Sequence, residues 1–318
     1  MRGRIGAGVL ATLAGLVLLA VLAPRGVLPA SLRAPSVGGR IAYVIGGNIW
    51  IWQGGPHQVT TTGHDASAVL SADGSRLAYV RNDDSFSDIL TLPSTGGDPT
   101  FLTDNRPSAE TGSYQYVQQA IWALMPAWSP DGSRLAYVSD LGFDAPVLWI
   151  MAPDGENAHS LTTSPPNPPL EHPRWSPDGT AIAGTSMGSG KDEIWSLDLN
   201  SGVWNEVAAP ADGAYDPAWS PDGAWIAWAQ RTGKQTDIWI GPPDRSTPAV
   251  QLTQLGRARA PAFSPDGKQL AFVAESGGVF QIYVVDLTFA STGVTVGTPQ
   301  QLTDGAGVDA ASGISWSR

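Results

Sequence analysis

Five times the chain writes a Ser-(Pro or Ala)-Asp-Gly block just ahead of an apolar run. The copies are Ser71-Ala72-Asp73-Gly74, Ser129-Pro130-Asp131-Gly132, Ser176-Pro177-Asp178-Gly179, Ser220-Pro221-Asp222-Gly223 and Ser264-Pro265-Asp266-Gly267. Successive Asp residues stand 58, 47, 44 and 44 positions apart. A recurring period of this size marks a repeat architecture, in which each unit buries its apolar face only against its neighbours. Each block suits a type I turn. Ser serves the first position, Pro pre-sets φ at the second, Asp tolerates the third and Gly closes the fourth.

The flanks read as short strands. Pro126-Ala127-Trp128, Pro173-Arg174-Trp175, Pro217-Ala218-Trp219 and Pro261-Ala262-Phe263 precede the turns, and runs such as Leu135-Ala136-Tyr137-Val138 and Leu270-Ala271-Phe272-Val273 follow them. They are β-branched, aromatic and of period-2 character. Two more registers recur downstream. One is apolar-Trp (Ile49-Trp50, Leu148-Trp149, Ile194-Trp195, Ile238-Trp239), and the other is apolar-Thr (Val59-Thr60, Leu102-Thr103, Leu161-Thr162, Leu252-Thr253, Leu302-Thr303), with Val207-Ala208 as the exception. Four strand signals in a unit of about 40–45 residues describe a propeller blade.

The two chain ends complete the count. Residues 40–62 carry three strand signals without a Trp-Ser strand before them, while Ile314-Ser315-Trp316-Ser317 is a Trp-Ser strand standing alone. Sharing one blade between the ends gives six four-stranded blades and an all-β ring without free sheet edges. Eight of the 13 Trp fall in the Trp-Ser and apolar-Trp registers, so they are expected to pack between blades.

The unit Pro-Ala-Trp-Ser-Pro-Asp-Gly, followed by Leu-Ala-Tyr-Val, Leu-Trp-Ile-Met and Leu-Thr, resembles the TolB-like (WD40-like) β-propeller repeat. The resemblance covers residues 40–318. It implies a six-bladed propeller outside the cytoplasm, and says little of function, since one fold hosts many. The chain departs from the family's periplasmic protein, which carries an α/β domain ahead of its propeller; here only residues 24–39 separate an apolar run from the first blade.

That run, Ile5 to Ala23, holds no charged residue and follows Met1-Arg2-Gly3-Arg4, so residues 1–23 read as a signal peptide or membrane anchor. Residues 24–39, rich in Pro, Gly, Ala and Ser, read as a tether. The protein is therefore expected to be extracytoplasmic, either anchored to the membrane through this helix or secreted. Beyond residue 40 stand 13 Lys and Arg against 29 Asp and Glu, a formal charge of −16. Such a balance argues against nucleic acid as a partner.

Motifs for chemistry are few. Gly184-Thr185-Ser186-Met187-Gly188 matches a nucleophile elbow, but it aligns with a blade strand rather than a strand-to-helix turn. Gly188-Ser189-Gly190-Lys191 lacks the earlier Gly and following Ser or Thr of a phosphate loop. No catalytic residue and no cofactor is expected. Asp83, Asp84 and Asp88 are close enough in sequence to offer oxygen ligands to Ca²⁺, although a polar hairpin suits them as well.

Two features point to binding. Glu171-His172, Tyr215-Asp216 and Arg259 sit just before Trp-Ser strands, at positions matched in the other blades by Ser67, Met125, Ala260 and Gly313. In a propeller the loops entering those strands ring one channel mouth. There Glu171, His172, Tyr215, Asp216 and Arg259 would present a polar ring suited to a small ligand, a glycan or a metal, including metal-dependent catalysis. The second feature is an insertion. From Thr103 to Pro126 there are 22 intervening residues, against seven from Thr253 to Pro261. The insertion carries Tyr114, Tyr116 and Trp122, amphipathic residues common at interfaces. It belongs to the same connection type, so the 104–125 loop is expected to overhang the same mouth and bind a protein or peptide of the cell envelope. The other expectation for it is to fold back over apolar surface.

Overall fold

A computed structural model describes residues 36–143, 145–161, 170–290 and 293–318. The N-terminal segment 1–23, most of the tether and Thr162 lie outside the described residues. Among the described residues no helix is long and apolar enough to cross a membrane.

Six antiparallel sheets form, each with its strands in chain order except at the shared blade. There Ser315–Ser317 pairs with Arg40–Ile45, in the register Arg40↔Ser317, Ile41↔Trp316 and Ala42↔Ser315. The sheet continues through Asn48–Trp52 to Pro56–Gln58. The remaining blades, numbered 1 to 5, open with Asp65–Leu70, Ala123–Trp128, Glu171–Trp175, Ala214–Trp219 and Ala258–Phe263; the shared blade is blade 6. These opening strands touch one another consecutively around the ring, the strand Ser315–Ser317 included, so they line the axis and the ring is closed.

The hydrophobic core is divided. Six clusters of buried residues each join one pair of neighbouring blades, as where Leu77 and Tyr79 of blade 1 meet Ile49 and Ile51 of blade 6. Second strands are sandwiched on both faces. Leu135–Ser139 is buried throughout, so the expected period-2 alternation gives way to a continuous buried run. Outer strands such as Thr100–Phe101 are exposed.

The turn block proves to be a hydrogen-bonded device. In all five copies the Ser Oγ donates to the Asp Oδ1 over 2.5–2.7 Å. The same Oδ1 accepts from the backbone N–H after the Gly, at 3.0–3.1 Å. The Ser Oγ in turn accepts the first N–H of the next strand, at 2.9–3.0 Å. Each Gly takes a positive φ of 67–73°, which a side chain would oppose. The Ser hydrogen bond, aided by the backbone N–H, holds Asp73 and Asp131 down at about 2.

The Thr register has a similar explanation. Thr60, Thr103, Thr253 and Thr303 each accept, through Oγ1, a backbone N–H of the adjacent third strand. Three of them also donate to the side chain just before that N–H: Asp88, Asp237 and Gln281. The Trp-Ser tryptophans reach backward across the blade seam. Trp175 Nε1 donates to Ala127 O (3.0 Å) and Trp219 Nε1 to Arg174 O (3.2 Å). Arg76 and Arg134 stack over the rings of Trp128 and Trp175. The apolar-Trp residues Trp50, Trp149, Trp195 and Trp239 are only half-buried, at the margins of the inter-blade clusters.

Blade 5 departs from the pattern. Val279–Ala290 spans 12 residues, pairs with Gln300–Gln301 inside the blade and then runs on to pair with Gly293–Val296. This extension leans on blade 4, where Phe289 and Trp225 lie 5.6 Å apart.

Candidate functional site

The opening strands of blades 1 to 5 each carry a kink near their start. The pairing slips between Ala66 and Val69, Leu124 and Ala127, Glu171 and Arg174, Tyr215 and Ala218, and Arg259 and Ala262. At the bulged positions Ser67, Met125, His172, Asp216 and Ala260 take φ between 49° and 56°, and Gly313 matches them at 70°. The expected ring therefore exists, but not as loop ends. Its members sit within the innermost strands, in a left-handed conformation uncommon for non-Gly residues. A bulge re-aims a side chain that would otherwise follow the pleat.

Asp216 is the hub. Arg259 of blade 5 grips its carboxylate with two bonds, Nε to Oδ2 at 2.9 Å and Nη2 to Oδ1 at 3.2 Å. The Ala260 N–H donates to Oδ2 at 3.2 Å, and the Asp216 N–H donates to Thr185 Oγ1 at 3.2 Å. Burial alone would lower Arg259, but the Asp216 charge outweighs it and leaves the guanidinium above its ordinary value. The Tyr215 ring lies beneath Arg259, 5.1 Å from centroid to guanidinium, and its hydroxyl donates to Thr236.

His172 approaches the hub from blade 3, with Nδ1 3.7 Å from Asp216 Oδ1, too far for a hydrogen bond. That nitrogen is buried and has no hydrogen-bond partner among the described residues. Burial pushes the imidazole below its ordinary range, against the pull of Asp216, so it is neutral at pH 7. The His172 N–H points at Met125 Sδ, 3.3 Å away on the strand that follows the insertion. The structure thus gathers His172, Tyr215, Asp216 and Arg259. Glu171 stays half-buried beside them on the same strand, with no side-chain hydrogen bond among the described residues.

The insertion is ordered. It is tied at both ends to the start of blade 1's third strand. Asn105 donates to Ser87 O and to Asp88 Oδ1, while Ser87 Oγ bonds both the carbonyl and the N–H of Ala123. Between these ties runs the short helix Tyr114–Gln118, capped by the Ser113 hydroxyl on the Tyr116 N–H. Tyr116 is buried, at 7% exposure, and is the least accessible of the three aromatic residues. Tyr114 and Val117 project outward, at 77% and 59% exposure. Trp122 is half-buried, with its N–H bound to Asp140. Strands alternate in direction within a blade, so the insertion and the bulges lie on the same face and the five turns on the opposite one.

Other candidates dissolve into structure. Of Asp83, Asp84 and Asp88, the first and last line one cavity beside Asp104, Arg81 and Arg106. Asp88 is buried on Thr103 and Asn105, and Asp83 caps the Asp84 N–H. Among the described residues no group of three or more His, Asp or Glu forms a metal site. Ser186 is buried at the end of Ala181–Ser186, paired with Glu193 across a hairpin. Sequence reasoning missed Arg174, although the signal was there: it interrupts an alanine that three other blades place before the aromatic residue, at Ala127, Ala218 and Ala262.

No protein-family profile matches the chain. It is 31% identical over 147 residues to the Tol-Pal system protein TolB of Albidiferax ferrireducens, covering 45% of this chain and 33% of that protein. It is 32% identical over 145 residues to the uncharacterized peptidase YuxL of Bacillus subtilis, covering 41% of this chain and 20% of that protein. The chain thus spans a third or less of the length of these relatives. The crystal structure of TolB from Acinetobacter baumannii superposes with a TM-score of 0.63 at 19% identity, covering 85% of this chain and 68% of that one. Fold and seam define a closed six-bladed propeller. Its repeat is similar to that of TolB-like β-propellers.

Proposed function

We propose that this protein is a non-enzymatic, extracytoplasmic scaffold that holds a protein or peptide partner on the channel face bearing the bulges and the 104–125 insertion. One observation carries the reading. The same left-handed backbone recurs near the start of five opening strands and at Gly313 just ahead of the sixth, yet the residue differs at every one: Ser67, Met125, His172, Asp216, Ala260 and Gly313. A repeat that conserves a shape while varying its chemistry presents a recognition surface. The exposed Tyr114 and Val117 on the same face extend it. The likeness to TolB, named for the Tol-Pal system, supports an envelope setting and a protein partner. The match to a named peptidase covers a fifth of that protein, and the buried Ser186 offers no nucleophile here.

The test is site-specific photo-crosslinking in intact cells, with a photoreactive residue at Tyr114. A discrete adduct with one envelope protein is expected, and the same adduct formed from a photoreactive residue at Glu171 should vanish when residues 106–120 are deleted from an otherwise folded chain. An adduct that survives with the photoreactive residue moved to Asp222, on the opposite face, and not at Tyr114 would overturn the reading.

A further inference from the structure

Two residues beyond each bulge, the six opening strands place one side chain apiece on the channel: Val69, Ala127, Arg174, Ala218, Ala262 and Ser315. All six line one axial cavity of about 180 Å³. Five are small or apolar and the sixth is an arginine. The same strand closes in three other blades with alanine, so packing does not demand it.

Arg174 reaches across the axis. Its Nη2 lies 3.7 Å from where a Cβ on Gly313 would stand, and Gly313 belongs to blade 6, directly opposite blade 3 in a ring of six. Of the five N–H donors a guanidinium carries, one is used among the described residues, from Nη1 to the neighbouring Pro173 carbonyl at 3.0 Å. Asp216 is the acidic group whose charge acts on it, and its two oxygens already serve Arg259. Burial lowers Arg174 from its ordinary value, with Asp216 pulling the other way. A half-buried guanidinium with open donors facing a cavity is suited to grip a carboxylate through paired N–H bonds. The unpartnered Nδ1 of His172 lies on the same strand, two residues away.

The geometry points to a carboxylate site in the central channel, in which the Arg174 fork grips the carboxylate of an inserted peptide, from its C-terminus or an acidic side chain. The cavity has room for such a group and a few waters, at about 30 Å³ per water. The chain beyond residue 40 carries −16, which repels free anions at a distance. A carboxylate delivered by a bound chain overcomes that repulsion through its other contacts; a small free anion does not. The inference rests on the proposed reading of this channel as a protein or peptide site.

Binding of three probes to the full-length protein, followed by calorimetry and ligand-observed NMR, tests it. The probes are N-acetyl-trialanine with a free carboxylate, the same peptide as its C-terminal amide, and sodium acetate. The acid peptide is expected to bind at least tenfold more tightly than the amide and than acetate. Arg174→Met should abolish the acid-over-amide preference, and Arg174→Lys, which keeps charge without the fork, should retain only part of it. The wild-type ratio needs no variant, so a folding failure of either substitution leaves the test standing. Equal binding of acid and amide, no binding of the acid, or a preference kept by Arg174→Met would overturn the site. Acetate binding as tightly as the acid peptide would overturn the peptide source. A lost preference with the Tyr114 crosslink intact refutes this inference alone; a lost crosslink with the preference intact refutes the proposed partner surface alone.

Discussion

The two ends of the opening strands obey opposite rules. At the turn end, five blades repeat one set of side chains and one set of bonds, within 0.2 Å for the Ser–Asp contact. At the bulge end, one left-handed backbone position recurs around the ring and no residue type does. Uniform chemistry marks a part whose task is identical in every blade, which here is to close a hairpin and present the next strand. Uniform shape with varied chemistry marks a part whose task is set by the whole ring. The comparison separates scaffold from site without reference to any relative.

Substitution costs should break along the same line. Asp216→Ala is expected to cost the most, about 2–4 kcal/mol, because it strands the Arg259 guanidinium and the Ala260 N–H in a mostly buried setting. Ser67→Ala, at the same backbone position of blade 1, should cost under about 0.5 kcal/mol. Urea midpoints at pH 7 measure both. Equal costs would mean that the bulge side chains are scaffold too.

At the turn end the prediction is sameness. Asp131→Ala, Asp178→Ala and Asp266→Ala each remove the acceptor of the Ser hydroxyl and of one backbone N–H. Each is expected to cost about 1–2 kcal/mol and to agree with the others within about 0.5 kcal/mol. A scatter wider than that between blades would show that the turns are not equivalent devices.

Much of this was legible beforehand. The turn block, the second strands and the split blade are periodic, and periodic signals survive in a single sequence. The Thr register even announced its exception at Ala208: in that blade Glu193 has no Thr partner and bonds Ser189 and Trp195 instead. The bulges were not legible as backbone. Only their neighbouring prolines hinted at them, and nothing in His172 or Asp216 declares a positive φ. The burial of Tyr116 depends on a five-residue helix that exists because the insertion's ends are tied to Ser87 and Asp88. The blade 5 extension left a trace in spacing, 20 residues from Ile282 to Leu302 against 14 from Ile238 to Leu252, hidden because the longer 104–125 insertion drew the attention.

Acid sharpens the comparison further. Hydrogen bonds hold Asp73 and Asp131 at about 2, below the unfolded carboxylate value. A depressed folded pKa contributes stability above the unfolded value, which is lost as pH falls from about 4 toward 2. His172 is depressed by burial, so its contribution begins to fall away earlier, as pH drops below about 6.5. His172→Gln should therefore flatten the pH dependence of stability as pH falls below about 6.5, and Asp131→Asn the part below pH 4. An exchange of these two windows would refute the assignment of either group.

The smallest expected effect is on stability at the channel centre. Arg174→Met replaces a half-buried cation with an apolar chain of similar length, in a cavity lined by alanines and aromatic residues, and should change stability by no more than about 1 kcal/mol.

The central claim is that recognition belongs to the bulge end and not to the turn end. A photoreactive residue carried in turn at Tyr114, Glu171, Asp131 and Asp222 in intact cells tests it most directly. The account predicts one common adduct from Tyr114 and Glu171 and none from Asp131 or Asp222. An adduct from the two turn positions, with none from Tyr114 and Glu171, would contradict it.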